Sequence, residues 1–181
     1  MPKKRNLFLT GAPSSGKTTI IKKLIAELAH PANGFYTEEE LVNRKRVGFL
    51  MKTLDGKQAY LAHQDIPSDF RIRRYGVSLE AIEAIAVPAI APVGSRIIIL
   101  DEIGKMECFS PAFIDAAQRA LDAPNIVIGT ITFGGGGFIL QVKERDDLEI
   151  IEVTPDNRED LPEILLHKIA KLSRLPGCRL D

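Results

Sequence analysis

Eight residues near the start of the chain, Gly11-Ala12-Pro13-Ser14-Ser15-Gly16-Lys17-Thr18, have the spacing G-x-x-x-x-G-K-T. That pattern suits the grip of a polyphosphate. Glycines let the backbone close around an anion, and the N–H groups at the following helix start carry partial positive charge. Lys17 is placed to reach the terminal phosphates, and the Thr18 hydroxyl is placed to meet magnesium, with Thr19 beside it. Far along the chain, Asp101-Glu102 follows the apolar run Ile97-Ile98-Ile99-Leu100. An aspartate ending a buried strand can share the magnesium ion with the loop threonine, and a neighbouring glutamate can take a proton from an attacking water. Asp101 is therefore read as a metal ligand and Glu102 as the general base. Adjacent strand residues point to opposite faces, so the two carboxylates can work together only if the strand end twists.

These residues need elements to hold them. Asn6 to Thr10 reads as a short buried strand, and Ile20, Ile21, Leu24, Ile25 and Leu28 form a helical stripe that ends near His30-Pro31. Two antiparallel strands, 47–54 and 58–62, flank the turn signal Asp55-Gly56. Tyr75-Gly76 reads as a turn before a helix capped by Ser78, with Leu79, Ile82, Ile85 and Ala86 on one face and a kink or end near Pro88. The run 97–100 is apolar on both faces, as a central parallel strand requires. A helix over 111–121, a strand at 126–128, a glycine loop, a strand over 148–153 and a closing helix from Leu161 to Leu172 follow. Alternating strands and helices predict an α/β fold in three layers, mostly parallel, with an antiparallel hairpin insertion. The whole chain, 1–181, is read as one domain.

Composition excludes several classes. The 24 basic and 24 acidic residues balance, so no long-range field favours duplex nucleic acid or an anionic membrane. Cys108 and Cys178 lack metal-ligand spacing, and His30, His63 and His167 are scattered. No apolar run approaches the ~20 residues of a membrane span, and Leu7-Phe8-Leu9 is too short for a secretory signal core. The expected compartment is the cytoplasm, with no membrane partner.

Gly34-Phe35-Tyr36-Thr37-Glu38, Arg46-Val47-Gly48-Phe49, Arg74-Tyr75-Gly76-Val77 and above all Asp101-Glu102-Ile103-Gly104-Lys105-Met106-Glu107 resemble the thermostable nucleoside-triphosphatase family, whose animal members are called cancer-related nucleoside-triphosphatases. The resemblance runs from the phosphate loop to about Asn157-Arg158. It implies a RecA-like phosphate-loop core of the catalytic-glutamate class, and slow, base-tolerant, magnesium-dependent hydrolysis of triphosphates such as ATP and GTP. It also implies nucleotide contact along 97–104, which adds Leu100, Ile103 and Gly104 to the loop residues. Two departures stand out. The family usually carries glycine where this loop has Ser14 or Ser15, and Phe133 is followed by four glycines, 134–137, where relatives have a more varied loop.

Cations that could steady the developing charge include Arg46, Arg74 and Lys105, chosen because they stand in those family-like segments. Glu107 is read as an ion-pair partner for a nearby base. The glycine run is either a flap over the nucleotide or a plain surface connection. Two other functions compete with hydrolysis. One is a small nucleoside or nucleotide kinase, which would need an arginine-rich lid that the late region lacks. The other is a nucleotide-gated module for RNA or protein, supported by Arg44-Lys45-Arg46 and Arg71-Ile72-Arg73-Arg74 beside Tyr75.

Overall fold

A computed structural model describes residues 4–174. Nine strands form one sheet: β1 (Asn6–Thr10), β2 (Ala32–Val42), β3 (Lys45–Thr53), β4 (Gln58–His63), β5 (Arg71–Ile72), β6 (Tyr75–Val77), β7 (Ile97–Ile103), β8 (Val127–Ile131) and β9 (Leu148–Glu152). Their spatial order is β5-β6-β4-β3-β2-β7-β8-β1-β9. From β2 to β9 every neighbouring pair is parallel, and from β2 to β5 every pair is antiparallel. The expected mixed sheet is thus present, and the insertion is larger than one hairpin. β2 belongs to both halves: its first residues pair with β7 up to Phe35, and the remainder runs on with β3 as a projecting arm.

Strand periodicity builds two cores from one sheet. Phe8, Ile98, Leu100 and Val127 face one side, with Phe113, Ala116, Ala117 and Ala120 of helix α4 (Pro111–Asp122). Leu7, Leu9, Ile97, Ile99 and Ile128 face the other, against Ile20, Ile21 and Leu24 of α1 (Lys17–Glu27) and Leu161, Leu165 and Ile169 of α6 (Leu161–Leu172). Each such aliphatic side chain contributes roughly 1.5–3 kcal/mol by leaving water. Burial on both faces fixes β1 and β7 in register, and with them the loops at their carboxyl ends. Among the described residues no helix is long and apolar enough to cross a membrane.

Several local expectations are corrected. Tyr75–Val77 is a buried strand, because Tyr75 and Val77 pack into the core beside β4. The helix capped by Ser78 is not uniform: α2 (Leu79–Ala81) passes through a π-helical turn, Ile82–Ala86, into α3 (Val87–Ala89), with Pro88 inside its last turn. The β2–β3 reversal falls at Asn43-Arg44, both in left-handed conformation with φ of 50° and 63°, so Arg44 belongs to the turn itself. Helix α5 (Phe138–Lys143) was not expected; its Phe138, Ile139 and Val142 are buried. Cys178 lies outside the described residues.

Candidate active site

The carboxyl ends of β1 and β7 meet, although β8 pairs alongside both strands between them. After Thr10 the chain turns through the phosphate loop and enters α1 at Lys17. Gly11 and Gly16 take φ of 144° and 101°, conformations that side-chain-bearing residues rarely adopt. A β-carbon on Gly11 would also fall 3.0 Å from the Val153 carbonyl oxygen and 3.1 Å from Ser15 Oγ. Ser14, one of the two family departures, stands at φ 61°, in the left-handed region that favours glycine. The loop keeps its shape there against that preference. Lys17 Nζ donates to the carbonyls of Gly11 and Ala12, each at 3.1 Å, so its ammonium lies across the mouth of the loop.

Asp101 reaches this loop from β7. Thr18 Oγ1 donates to Asp101 Oδ2 at 2.7 Å, Thr130 on β8 donates to Oδ1, and the Thr37 backbone N–H on β2 lies 3.5 Å from Oδ2. Burial alone would push this carboxyl's pKa up; the three donors and the Lys17 charge pull the other way, and burial prevails. Glu102 follows without a cation in contact. Its pKa is pushed up to about 7, first by burial and then by the Asp101 charge, with Lys17 opposing. The pairing of β7 with β8 is irregular between Leu100 and Ile103, so strict alternation lapses over the acidic pair. Both carboxyls lie near the loop lysine for that reason.

Sequence reasoning missed three groups. Thr130 is a buried hydroxyl in an otherwise apolar strand, and an isolated polar residue there was the available signal. Thr37 acts through its backbone, which no side-chain pattern reveals. Glu107 is the third. The expected ion pair is absent: Glu107 is 2% exposed in a 3₁₀ turn, Glu107–Phe109, and makes no ion pair among the described residues. The turn buries the Glu107 side chain instead of presenting it to solvent, where most of the chain's bases lie.

The three candidate cations part company. Arg46 donates to Tyr75 Oη at 3.3 Å, pairs with Glu39, and lies over the rings of Phe49 and Tyr75. Arg74 packs over Tyr75 and donates to its hydroxyl at 3.1 Å and to the Arg46 carbonyl. Both guanidinium groups are engaged within the antiparallel arm. Lys105 is exposed in the turn after β7 and makes no ion pair among the described residues. Phe133 and the glycines lead into α5, and Lys143 Nζ holds the Phe133 carbonyl at 2.6 Å. The glycine loop is thereby tethered at both ends.

Magnesium favours oxygen ligands, takes few from protein, and keeps waters and phosphate oxygens for the rest. A hydroxyl and a carboxylate 2.7 Å apart at the loop mouth fit that donor set. Among the described residues no three His, Cys, Asp or Glu side chains cluster as a self-sufficient metal cage.

A family model described as NTPase matches residues 6–166. The chain is 41% identical to the nucleoside-triphosphatase THEP1 of Thermotoga maritima over 157 residues, covering 86% of this chain and 90% of that one. It is 40% identical to a cancer-related nucleoside-triphosphatase homolog of Mus musculus, covering 89% and 95%. The crystal structure of THEP1 from Aquifex aeolicus superimposes with a TM-score of 0.81 at 32% identity, over 90% of this chain and 98% of that one.

Proposed function

Because the chain belongs to the NTPase family, we propose that it hydrolyses nucleoside triphosphates to the diphosphate and phosphate, at the edge where the loop of residues 11–18 meets Asp101 and Glu102. The hydrogen bond from Thr18 to Asp101 carries this reading, because it joins a polyphosphate grip to an acidic strand end that is distant in sequence. Loop amides between Gly11 and Thr19, Pro13 excepted because it has no N–H, and the Lys17 ammonium bind the phosphates. Thr18 and Asp101 hold magnesium, which when bound neutralises phosphate oxygens and strengthens the electrophile. Thr130 and the Thr37 amide keep Asp101 turned toward Thr18.

Glu102 orients a water and takes its proton. The water oxygen bonds to the γ-phosphorus as the bond to the β,γ-bridging oxygen breaks, and that electron pair departs with the diphosphate. The proton on Glu102 then returns to solvent. Leu100 and Ile103, expected from the resemblance to touch nucleotide, are instead fully buried in the core on the α4 side and back the site from behind. Of the three candidate cations, Lys105 is the one with no ion pair or ring contact among the described residues, and it can turn toward the phosphates, while Arg46 and Arg74 brace the arm. The family resemblance supports slow turnover with broad base tolerance, ATP and GTP included, and we place the protein in the cytoplasm.

The test is product analysis with purified protein. Several triphosphates are incubated with magnesium or a chelator, with and without nucleoside and nucleotide acceptors. The expected result is equimolar phosphate and diphosphate, dependent on metal and indifferent to acceptor. Turnover that requires an acceptor would make the protein a kinase instead, and a nucleotide-dependent shift of labelled RNA without phosphate release would favour the binding-module reading.

A further inference from the structure

Glu107 is buried, anionic by type and without an ion-pair partner among the described residues, five residues beyond the proposed base. Its position is set by Gly104. A β-carbon there would stand 2.7 Å from Glu102 Oε1 and 2.8 Å from Glu107 Oε2, so the two carboxyls converge on a space that exists only because residue 104 has no side chain. No other residue contributes an atom to the three closest approaches to that point. The backbone amides of Gly104 and Glu107 favour the charged form of the Glu107 carboxyl, but less than burial opposes it.

A buried carboxylate without a cation costs several kcal/mol, and a second negative charge nearby adds to it. The proton is therefore retained on Glu107, whose pKa is pushed well above the usual carboxylate range by burial and then by the Glu102 charge. A neutral carboxyl has one O–H donor. The acceptor facing it across the Gly104 gap is Glu102.

We infer that Glu107 is a positioning residue: across the space left open by Gly104 it donates a hydrogen bond, directly or through one water, to the Glu102 carboxylate and holds that base toward the phosphate loop. The inference rests on Glu102 acting on the attacking water. It assigns Glu107 no contact with nucleotide, so its effect falls on the chemical step and not on binding. It also gives Gly104 a task distinct from turning the chain, since a methyl group at that position would wedge the two carboxyls apart.

Steady-state hydrolysis by the purified full chain tests it with Glu107→Ala, Glu107→Gln, Gly104→Ala and Glu102→Gln. Glu107→Ala is expected to lower kcat about 10- to 100-fold, the scale of a misplaced catalytic group, with KM for the triphosphate within threefold. Glu107→Gln, whose amide is a neutral donor of similar reach, recovers most of that loss. Gly104→Ala lowers kcat in the same direction and gives the readout if Glu107→Ala does not fold. Unchanged kcat in Glu107→Ala, or in Gly104→Ala where Glu107→Ala does not fold, overturns the inference, as does a Gln variant as slow as the Ala variant. If Glu102→Gln itself keeps full turnover, the reading of Glu102 as the base fails instead, and the two failures are thereby distinguished.

Discussion

In the antiparallel arm Glu38 sits between Lys22 and Lys52, Glu39 holds Arg46, and Glu40 lies 3.6 Å from His63. At the mouth of the parallel half, Asp101 and Glu107 are buried and Glu102 is partly buried, yet none makes an ion pair among the described residues. The two regions share one sheet and one strand, β2. Their acids nevertheless shift in opposite directions: Glu38 is held below the usual carboxylate range by its two lysines, while the three acids at the strand ends are raised. Charge in the arm is spent on the arm's own shape. The acids at the strand ends have no cation of their own, and burial favours their protonated forms.

The largest effects should come from the parallel half. Lys17→Ala removes the one ammonium at the loop mouth and should abolish tight triphosphate binding, measured by calorimetry or nucleotide fluorescence. Retained affinity with unchanged turnover would reduce the loop to a connector. Glu102→Gln should keep binding and slow hydrolysis by about 10²- to 10⁴-fold, the range for removing a general base. A matching loss in Glu38→Gln would erase the contrast between the two regions.

The comparison also sets a sign for stability against pH. For the nucleotide-free protein, Glu102 has a folded value of about 7 against an ordinary 4.5. The folded state therefore keeps a proton that the unfolded state releases, and this contribution is full below pH 4.5 and lost as pH climbs toward 7, by up to about 1.4 kcal/mol per pH unit per group. Asp101 and Glu107 act in the same sense. Glu38 acts in the other: its contribution is present above 4.5 and lost as pH falls through its lowered folded value. Urea denaturation from pH 5 to 8 should show falling stability. A rise across that window would mean that these acids are charged and paired in the folded protein.

A smaller effect should mark the arm. Arg46→Ala removes an ion pair and two ring contacts on half-exposed groups, and should cost about 1 kcal/mol in stability while leaving kcat within threefold. A loss nearer 10³-fold would instead make Arg46 a stabiliser of transition-state charge.

How much of this was legible follows the same division. The loop, the buried strand before Asp101 and the helical stripes could be read because each is set by local spacing: Lys17 and Thr18 lie within one motif, and Ile97 to Leu100 can only be a strand apolar on both faces. Thr130 and Glu107 were not legible as site residues. Their significance comes from which strand lies beside β7 and from a turn that folds inward, and neither is encoded within a few residues. The arm's turn at Asn43-Arg44 escaped because arginine is an uncommon occupant of a left-handed position, whereas Asp55-Gly56 announced itself.

The subtlest test lies inside the loop, where two adjacent serines replace a glycine of the family pattern. Only Ser14 has a positive φ; Ser15 does not. Placing a side chain in the left-handed region costs roughly 1 kcal/mol, and glycine adds a similar amount of freedom to the unfolded chain. Ser14→Gly should therefore leave stability within about 0.5 kcal/mol or raise it. Ser15→Gly has the entropic penalty, about 0.5–1 kcal/mol, offset by the loss of a hydroxyl that is buried without a hydrogen-bond partner, and should leave stability nearly unchanged. Thermal denaturation of both variants reads the difference. If Ser14→Gly is clearly the less stable of the two, Ser15 and not Ser14 occupies the family's glycine conformation, and the loop is shaped differently around the polyphosphate. If it is not, this loop keeps the family's backbone path at a small conformational cost, and the phosphate-facing amides stay where a glycine would have put them.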